Sequence, residues 1–461
     1  MRTYQELLQV GESDLARGGF CVSAINEFMG TSEYASAVAG EAYYGKHNLT
    51  IEKFQKMLYT LSGKEVPDIW SANYKLKTLF FRRLISQQVQ YVLGNGMTLS
   101  NPKNKEKLGK DFDFALMTAA KHALASGVSF GFWNVDHLEI FSYADTPSQP
   151  GFMPLYDENT AELRGGIRYW FKYVGDDRIG RYTLYEPDGF TEYIKTGNED
   201  AQVLEEKRAY KLVRKVLQDG VIEDEVGENY GTLPIVPLYA NDLHESELVG
   251  IRECIDCYDY IKSGLANDID DTSGFYWILK NTGGMDDVDL AEFIKRMKTV
   301  RASVVDGDDG ATAEAHTLDV PCEARKTMLE LLRKDIYEDF QALDVNTLSA
   351  SAKTTQEIKA AYQAQDNKCA DFEYFIIKFC YRILELAGID DDPTFRWNRT
   401  LNETEQTNMV LTAANYLTDE AIIKHLPFLT PEEADEIIKT RNAESFNRFE
   451  EDEDEGEQGE E

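Results

Sequence analysis

Apolar side chains in the first quarter of the chain recur every three or four residues, which is the spacing of one face of an α-helix. This spacing predicts helices over 51–61, 69–93 and 105–126. The second predicted helix stops at Gly94 and the third at Gly127, because glycine just past the last apolar position is a common helix end. Residues 1–50 are dotted with glycine and are expected to form an arm with short helices.

The period of the apolar positions changes to two at residue 128, which is the alternation of a half-buried β-strand. Strands of an antiparallel meander are predicted at 139–143, 167–174, 181–185 and 191–195. A strand near 210–216 is a candidate to extend the same sheet. The stretch 233–238 carries two prolines and is predicted to be an edge strand or a connector, since proline has no N–H to donate.

Long helical patterns dominate the second half of the chain. Residues 248–269 and 322–343 predict two helices, and an inserted α/β segment over 273–320 separates them. In that segment we predict strands at 275–279 and 302–305 and a helix at 290–300. A loop at 344–352 leads into 353–387, which has neither Gly nor Pro and predicts a helix of roughly 50 Å. Shorter helices are predicted at 403–417, 419–424 and 431–441, so the fold is expected to be α+β and mainly helical.

The balance of charges excludes one class of function. The chain has 461 residues, with 48 Lys and Arg against 82 Asp and Glu, and its net charge is −34. Such a charge argues against a protein whose whole surface wraps nucleic acid. A hydrophobic fraction of 43% is enough for real cores, and the length suggests roughly three structural units. Nine acidic residues and no basic one lie in 450–461, so 449–461 is predicted to be a disordered acidic tail.

Cysteine use and hydropathy bear on the compartment. Six cysteines at irregular spacing do not resemble a disulfide framework, so a reducing compartment is expected. The first residues lack the apolar stretch of a secretory signal, and no run of about 18 apolar residues occurs later. We therefore expect a soluble chain that is made inside the cell and has no membrane partner.

Motifs that carry chemistry are sparse. The sequence contains no phosphate-binding G-x-x-x-x-G-K-[ST] loop and no zinc-binding H-E-x-x-H. Cys254 and Cys257 lie three residues apart in a predicted helix and could supply two thiolates to a metal. No second Cys or His pair accompanies them, so they are interpreted as ordinary helix cysteines. We expect no catalytic residue, no cofactor and no bound metal, and hence a protein that is not an enzyme.

Two acidic clusters keep an enzymatic alternative open. They are Asp268, Asp270 and Asp271 at the end of a predicted helix, and Asp306, Asp308 and Asp309 in a predicted loop. Because carboxylate oxygens bind Mg²⁺ and Ca²⁺, either cluster could serve a metal-dependent enzyme acting on nucleic acids or phosphates. Solvated clusters are the favoured interpretation in so acidic a chain. A third hypothesis is an acidic adaptor or chaperone whose tail binds basic partners.

Basic residues concentrate on two predicted helices. They are Arg325, Lys326, Arg333 and Lys334 on the later helix, and Lys75, Lys77, Arg82 and Arg83 on the earlier one. Either group could contact phosphates. Pairing with the many carboxylates, within or between subunits, is the favoured interpretation.

Two stretches of sequence are more distinctive than any catalytic motif. The first is Leu-Pro-Ile-Val-Pro-Leu-Tyr-Ala-Asn at 233–241, followed by Ser-Glu-Leu at 246–248 and Cys-Ile-Asp-Cys-Tyr-Asp at 254–259. The second is Ala-Leu-Asp-Val-Asn at 342–346 and Ser-Ala-Lys at 351–353, which continues into the long helix as far as Tyr362. Both resemble the portal proteins of tailed bacteriophages, in particular the siphophage portal family of Gram-positive hosts. The order of predicted elements extends the resemblance over about 50–440.

The resemblance implies a portal fold with named parts. Residues 1–243 would be an N-terminal arm and wing, and 244–270 and 322–343 the two stem helices. The remaining parts would be an α/β clip at 271–321, a tunnel loop at 344–352, a long wing-spanning helix with its return to the wing at 353–399, a helical crown at 400–448 and the tail at 449–461.

The resemblance also implies a function and partners. The chain would form a homo-oligomeric ring, usually a dodecamer, at one capsid vertex. Double-stranded DNA would pass through this head-tail connector, packaged by the large terminase and later ejected. A head-tail adaptor and the major capsid and scaffolding proteins would be further partners. Assembly would take place in the host cytoplasm, and the ring would remain in the virion.

The resemblance assigns channel residues as well. These are Asp344, Asn346, Thr347, Leu348, Ser349, Ser351 and Lys353 in the tunnel loop, with Arg325, Lys326, Arg333 and Lys334 on the stem. The loop has neither an aromatic nor a basic residue within 344–352, which favours a smooth polar contact with DNA over a grip. The negative charge of the chain agrees with this, because each cation on a phosphate adds affinity and therefore friction.

Overall fold

A computed structural model of the chain describes residues 2–59, 63–68, 71–146, 149–175, 177–216, 222–272, 276–280, 312–316, 322–344, 355–398, 410–412, 416, 418–424, 426, 429, 434 and 436–441. Contacts divide the chain into two units, Met1–Trp397 and Asn398–Glu461. The predicted helix at 290–300, the predicted strand at 302–305 and the predicted tail lie outside the described residues.

Four helices open the chain, and side chains cap three of them. They are α1 (Tyr4–Gln9), α2 (Asp14–Phe28), α3 (Ser32–Tyr44) and α4 (Leu49–Lys53). The Thr3 hydroxyl and the Glu6 carboxylate cap α1 reciprocally, each accepting from the other residue's backbone N–H at 3.3 Å. Thr31 and Asn48 cap α3 and α4. The prediction of short helices in 1–50 is confirmed, with α2 the longest at 15 residues.

Two predicted helices are wrong in part. The prediction over 51–61 fails because α4 ends at Lys53 and Met57–Tyr59 forms strand β1, paired with β2 at Glu65–Pro67. Over 69–93 only the second part is helical, since α5 spans Phe80–Leu93 and residues 71–79 are not helical. The first part is held instead by hydrogen bonds to side chains of the helix at 252–272.

The predicted helix over 105–126 is two helices. These are α6 at Pro102–Glu106 and α7 at Phe112–Ser126, and Gly109 between them has φ +84°. A left-handed residue cannot continue a right-handed helix. Gly127 ends α7 as predicted, at φ +91°, where a Cβ would lie 2.5 Å from the carbonyl oxygen of His244. Glycine is therefore required there for space as well as for backbone conformation.

An eight-stranded sheet forms the middle of the first unit. Its strands are β4 (Val128–Asn134), β5 (His137–Ser142), β6 (Gly151–Tyr156), β7 (Leu163–Val174), β8 (Asp177–Glu186), β9 (Gly189–Thr196), β10 (Gln202–Arg208) and β13 (Ile235–Tyr239). The order is β10-β9-β8-β7-β6-β5-β4-β13, which confirms the predicted meander. All neighbours are antiparallel except β5 and β6, which are parallel and meet at Ser142 and Gly151. The proline-bearing strand β13 lies at the edge, as predicted.

The strand predicted near 210–216 does not extend this sheet. It is β11 (Lys211–Val216), which pairs with β12 (Ile222–Glu228) as a separate two-stranded ribbon. A second short pairing joins β3 (Met97–Thr98) to β16 (Thr394–Phe395).

Among the described residues, three long helices follow the sheet. They are α8 (Arg252–Thr272), α9 (Cys322–Asp339) and α10 (Thr355–Leu386). Between α8 and α9, strands β14 (Tyr276–Lys280) and β15 (Thr312–His316) pair antiparallel, so the predicted strand at 275–279 is confirmed. The 32 residues of α10 confirm the predicted long helix at 353–387, with a length of about 48 Å. In the second unit, α11 (Asp419–Lys424) is confirmed and 436–441 is helical.

In the part of the chain that the structure describes, buried side chains form two hydrophobic cores. In the core between sheet and N-terminal helices, the ring of Phe28 lies edge-on to Tyr143 and Tyr169, at centroid distances of 5.0 and 6.4 Å. The other core joins α5, α7 and the long helices, and in it Phe372 and Phe379 of α10 are 1% exposed. Fully burying a side chain of this kind contributes about 1.5–3 kcal/mol, so the second core fixes the long helices to one another.

Candidate functional site

Helices α8 and α9 lie side by side and run antiparallel; we call them the helix pair. At one end Arg325 of α9 forms an ion pair with Asp268 of α8. At the other end the ring of Phe80 lies between Tyr258 of α8 and Tyr337 of α9, with centroid distances of 5.0 and 6.3 Å. The first turns of one helix therefore contact the last turns of the other.

Helix α9 has one buried apolar stripe and one exposed one. Leu332, Ile336 and Phe340 are 5%, 0% and 2% exposed and face the core. Met328 and Leu331 are 40% and 51% exposed. Two adjacent leucines of one helix thus have opposite environments, because neighbouring helical residues point about 100° apart.

An extended segment, residues 74–78, runs along α8 in the opposite direction and is bonded to a row of polar side chains; we call it the strap. Its backbone N–H groups donate from Tyr74 to Asn267 Oδ1 at 2.6 Å, from Leu76 to Ser263 Oγ at 2.9 Å and from Thr78 to Asp259 Oδ1 at 3.0 Å. The acceptors stand four residues apart, on one face of the helix. Four helical residues rise about 6 Å and two extended residues about 6.6 Å, so the two spacings match.

The buried carboxylate in this row is fully engaged. Asp259 is 1% exposed, and its second oxygen accepts from the side-chain amide of Asn48 at 3.0 Å. Burial raises the pKa of Asp259, while the hydrogen bonds from Asn48 and Thr78 act in the opposite direction. The side chain links α4, the strap and α8 at one point.

Helix α9 ends in a Schellman motif. The N–H of Ala342 donates to Tyr337 O at 2.9 Å, and that of Gln341 donates to Glu338 O at 3.0 Å. Gln341 adopts φ +60°, a left-handed conformation that usually selects glycine. A side chain in that region costs on the order of 1–3 kcal/mol, so the surrounding contacts must hold it.

Hydrogen bonds from side chains also hold Leu343 and Asp344. The N–H of Leu343 donates to Gln365 Oε1 at 3.3 Å, and its carbonyl accepts from Gln87 Nε2 at 3.0 Å. Arg333 donates to Asp344 Oδ1 at 2.8 Å. Residues 340–344, which we call the loop base, are thus bonded at successive positions by α5, α9 and α10.

The structure assigns partners to the stem cations named from the sequence. Arg325 pairs with Asp268, and Arg333 pairs with Asp344. Lys334 lies 3.4 Å from Glu338 on the exposed face, and Lys326 is exposed. Three of the four cations therefore lie beside a carboxylate of the same subunit, and the choice between carboxylates and phosphates as their main partners stays a prediction. Such exposed pairs contribute at most about 1 kcal/mol each, so their effect is mainly to neutralise charge.

Of the predicted tunnel-loop residues, only Asp344 lies among those described. The others, Asn346, Thr347, Leu348, Ser349, Ser351 and Lys353, lie outside the described residues. What the structure adds is the geometry of the loop's start.

Two members of the first acidic cluster have partners within the chain. Asp268 is paired with Arg325, and Asp270 accepts from the Tyr74 hydroxyl at 3.5 Å. The second cluster, Asp306, Asp308 and Asp309, lies outside the described residues. Within the described part of the chain, no group of three or more His, Cys, Asp or Glu residues is arranged to hold a metal ion. Among the same residues, no helix is long and apolar enough to cross a membrane.

Ser129 lies in a sequence motif that in some enzymes carries a catalytic serine. Residues 127–131 read G-x-S-x-G, which in α/β-hydrolases places a nucleophilic serine on a sharp turn from strand to helix. Here Ser129 lies within β4, is fully buried and donates to the carbonyl of Ala119 at 2.8 Å. Its hydroxyl holds the strand against α7.

The sequence alone did not identify the residues that organise the loop base. Gln87, Gln365 and Lys368 belong to helices whose apolar stripes predicted only packing. Lys368 donates to Glu247 and, at 2.9 Å, to Phe340 O. A signal did exist for the strap acceptors, since Asp259, Ser263 and Asn267 repeat every four residues on one helix face.

Comparison with known proteins gives one family and several relatives. Residues 41–447 match the family described as "Phage portal protein, SPP1 Gp6-like". A portal protein of Clostridium phage phiCD119 is 27% identical over 221 residues, which are 46% of this chain and 49% of that protein. A portal protein of Bacillus phage SPP1 is 22% identical over 312 residues, 66% of this chain and 60% of that protein. The chain thus covers about half of the first relative and 60% of the second.

Two solved structures also align with the chain. One is the neck of an empty GTA particle with C6 symmetry, at TM-score 0.40 and 8% identity over 75% of this chain and 88% of that one. The other is the virion of a native gene transfer agent particle, at TM-score 0.40 and 9% identity over 74% of this chain and 88% of that one.

Proposed function

This chain belongs to the phage portal protein family of the SPP1 Gp6-like type, and we propose on that premise that it forms the ring at one capsid vertex through which double-stranded DNA enters and leaves. The observation that carries the proposal is the family match, which spans residues 41–447. The role is structural: the ring guides DNA and joins head to tail, and no catalytic step is assigned to it.

We propose the following division of labour along the chain. The helix pair lies in the stem, at 244–270 and 322–343, and the residues from Asp344 to 352 form the tunnel loop. Residues 1–243 and 353–399 form the wing, 271–321 the clip, 400–448 the crown and 449–461 the tail. Support for the stem comes from the antiparallel contacts between Asp268 and Arg325 and around Phe80.

The electrostatics of the stem suit a channel that holds DNA loosely. Arg325, Arg333 and Lys334 each lie beside a carboxylate of the same subunit, so these cations bring little net positive charge toward a duplex. Because counterion release grows with the number of cations on phosphates, a neutralised stem lowers friction on moving DNA. Basic stems with free cations would instead favour retention.

The partners follow from the same proposal. A second copy of the chain is the first of them, in a closed ring whose contacts are heterologous and whose subunit number is expected to be twelve. The large terminase, a head-tail adaptor, and the major capsid and scaffolding proteins would meet the ring from outside. The ring would assemble in the host cytoplasm and remain in the virion.

The mass of the purified assembly and its image in the electron microscope test the ring. We expect closed particles with a central hole, and a mass that is a multiple of the 52.4 kDa subunit. Monomers at every salt concentration and pH would overturn the proposal.

Deleting 346–349 tests the tunnel loop separately. The loop base ends at Asp344 and keeps its bonds to Gln87, Gln365 and Arg333, so rings should form as before. DNA per particle should fall. Full packaging by the deletion variant would remove the loop from the mechanism while leaving the ring intact.

A further inference from the structure

Three elements meet at the ammonium group of Lys368. This residue of α10 forms an ion pair with Glu247, in the turn that precedes α8, and donates to the carbonyl of Phe340 at 2.9 Å. The same ammonium lies 3.7 Å from the centre of the Phe340 ring. Lys368 and Glu247 are 16% and 14% exposed at their side chains, so the pair is largely shielded from water.

The carboxylate of Glu247 is itself fixed from a second direction. Its other oxygen accepts from the side-chain amide of Asn241 at 2.9 Å. The backbone N–H of Glu247 donates to Leu124 O, at the end of α7, at 3.0 Å. Lys368 is therefore bonded to a group that is itself held by Asn241 and by the end of α7.

The carbonyl of Phe340 is the other anchored group. It lies at the C-terminal end of α9, where unpaired carbonyls concentrate partial negative charge and attract cations. The next residue, Gln341, is in the left-handed conformation that closes the helix. A donor at Phe340 O thus stabilises the turn from which the loop base continues toward Asp344.

We infer that Lys368 is a positioning residue for the tunnel loop, because it fixes the loop base at Phe340 relative to the turn ahead of α8 at Glu247. Lys368 and Gln365 lie three residues apart on one face of α10, and Gln365 accepts from Leu343. One face of α10 is therefore bonded both to the turn ahead of α8 and to the loop base. The inference rests on the proposed function, since only a channel gives the loop a task.

Four variants of the full-length chain test the inference. Lys368→Met removes the ammonium and keeps the apolar stem, and Glu247→Gln with Lys368→Met removes both charges so that no unpaired carboxylate is buried. Lys368→Arg retains a donor. Lys378→Met, the same substitution at an exposed site ten residues along α10, is the matched control.

Hydrogen exchange of the amides 341–343 measures the anchoring itself. In the double variant we expect exchange on the order of tenfold faster than in the wild type, with Lys378→Met unchanged and Lys368→Arg close to wild type. Equal exchange in the double variant and the wild type overturns the inference, whatever the packaging result.

DNA per particle measures the consequence. Rings of normal mass from the double variant should package several-fold less DNA than wild-type rings, and Lys368→Arg should restore packaging. If the double variant packages as well as Lys378→Met, the pair has only a structural role and the inference fails. If wild-type rings themselves package nothing, the proposed function fails instead, and the exchange result still decides whether Lys368 holds the loop base.

Discussion

The adjacent residues Leu331 and Leu332 allow a sharp test of the stem. Leu332 is 5% exposed and Leu331 is 51% exposed, although they are neighbours on α9. Leu332→Ala should lower the free energy of unfolding by about 2–5 kcal/mol, which is the usual cost of truncating a buried leucine. Leu331→Asp should lower it by about 0.75–1.5 kcal/mol, because a full leucine is worth about 1.5–3 kcal/mol and roughly half of this one is already in water.

In ring assembly the order should be reversed, with the larger effect from Leu331→Asp and the smaller from Leu332→Ala. If the exposed stripe of Met328 and Leu331 contacts the next subunit, Leu331→Asp places a charge in that contact without a partner and shifts the assembly from rings to single subunits. Thermal unfolding of dilute subunits and the mass of the concentrated assembly give the two readouts. Lys326→Asp places the same carboxylate at an exposed site about 140° away from Leu331 around the helix and is the control.

Two results would refute this reasoning. Normal ring yield from Leu331→Asp would mean that the exposed stripe is not a contact between subunits. A loss of stability below about 1 kcal/mol for Leu332→Ala would mean that the buried stripe of α9 does not pack as described.

Three further predictions concern the strap and two carboxylates. Asn267→Ala removes the acceptor of one strap N–H and should lower the free energy of unfolding in urea by about 1–2 kcal/mol. The exposed Glu253→Ala on the same helix is the control and should cost less than about 0.5 kcal/mol. Equal effects of the two variants would mean that the hydrogen bond to the strap does not stabilise the fold. Burial raises the pKa of Asp259, so its contribution to stability is fully present below the ordinary pKa of 3.8 and is lost as the pH rises past it. Asp259→Asn should therefore flatten the fall in unfolding free energy between about pH 3 and pH 7, and parallel pH curves for variant and wild type would count against this role. The hydrogen bond from the Asn104 side chain, aided by backbone N–H groups, lowers the pKa of Asp391 to about 2, so its stabilisation is present above 3.8 and is lost as the pH falls toward 2. Asp391→Asn should raise the pH at which acid unfolds the protein, and an unchanged midpoint would speak against that network.

Strong periodic patterns were predictable from the sequence. The helix predicted at 353–387 is Thr355–Leu386, because 35 residues without Gly or Pro and with a continuous apolar stripe admit no competing structure. The meander followed equally well from alternation and turn residues, and the two prolines assigned β13 to an edge.

Two of the failures depend on a partner that the local sequence does not identify. Residues 71–79 carry a helical pattern, yet they are extended because their N–H groups are bonded by side chains of α8. Those acceptors are 193, 187 and 181 residues away in sequence, so no local window contains them. The ribbon of β11 and β12 is a similar case, since alternation predicts a strand but does not select its partner.

Some residues of the candidate site could likewise be identified from the sequence, and others could not. Arg325, Arg333 and Asp344 could be named from composition and order, because charges on a predicted helix and a small-residue loop are visible in the sequence. Gln87 and Lys368 could not, because their partners Leu343 and Glu247 lie 256 and 121 residues away. A polar side chain on a helix predicts a solvated position until the fold brings a partner to it.

The sequence by itself thus determined the class of fold, the long helices, the meander and the resemblance to portal proteins. These depend on periodicity and on residue types that act over a few neighbouring positions. The tertiary structure alone decided that 74–78 is a strap, that Leu331 is exposed beside a buried Leu332, and that Lys368 holds the loop base. Each of these depends on which distant groups satisfy a buried N–H, carbonyl or charge, and that pairing exists only once the chain has folded.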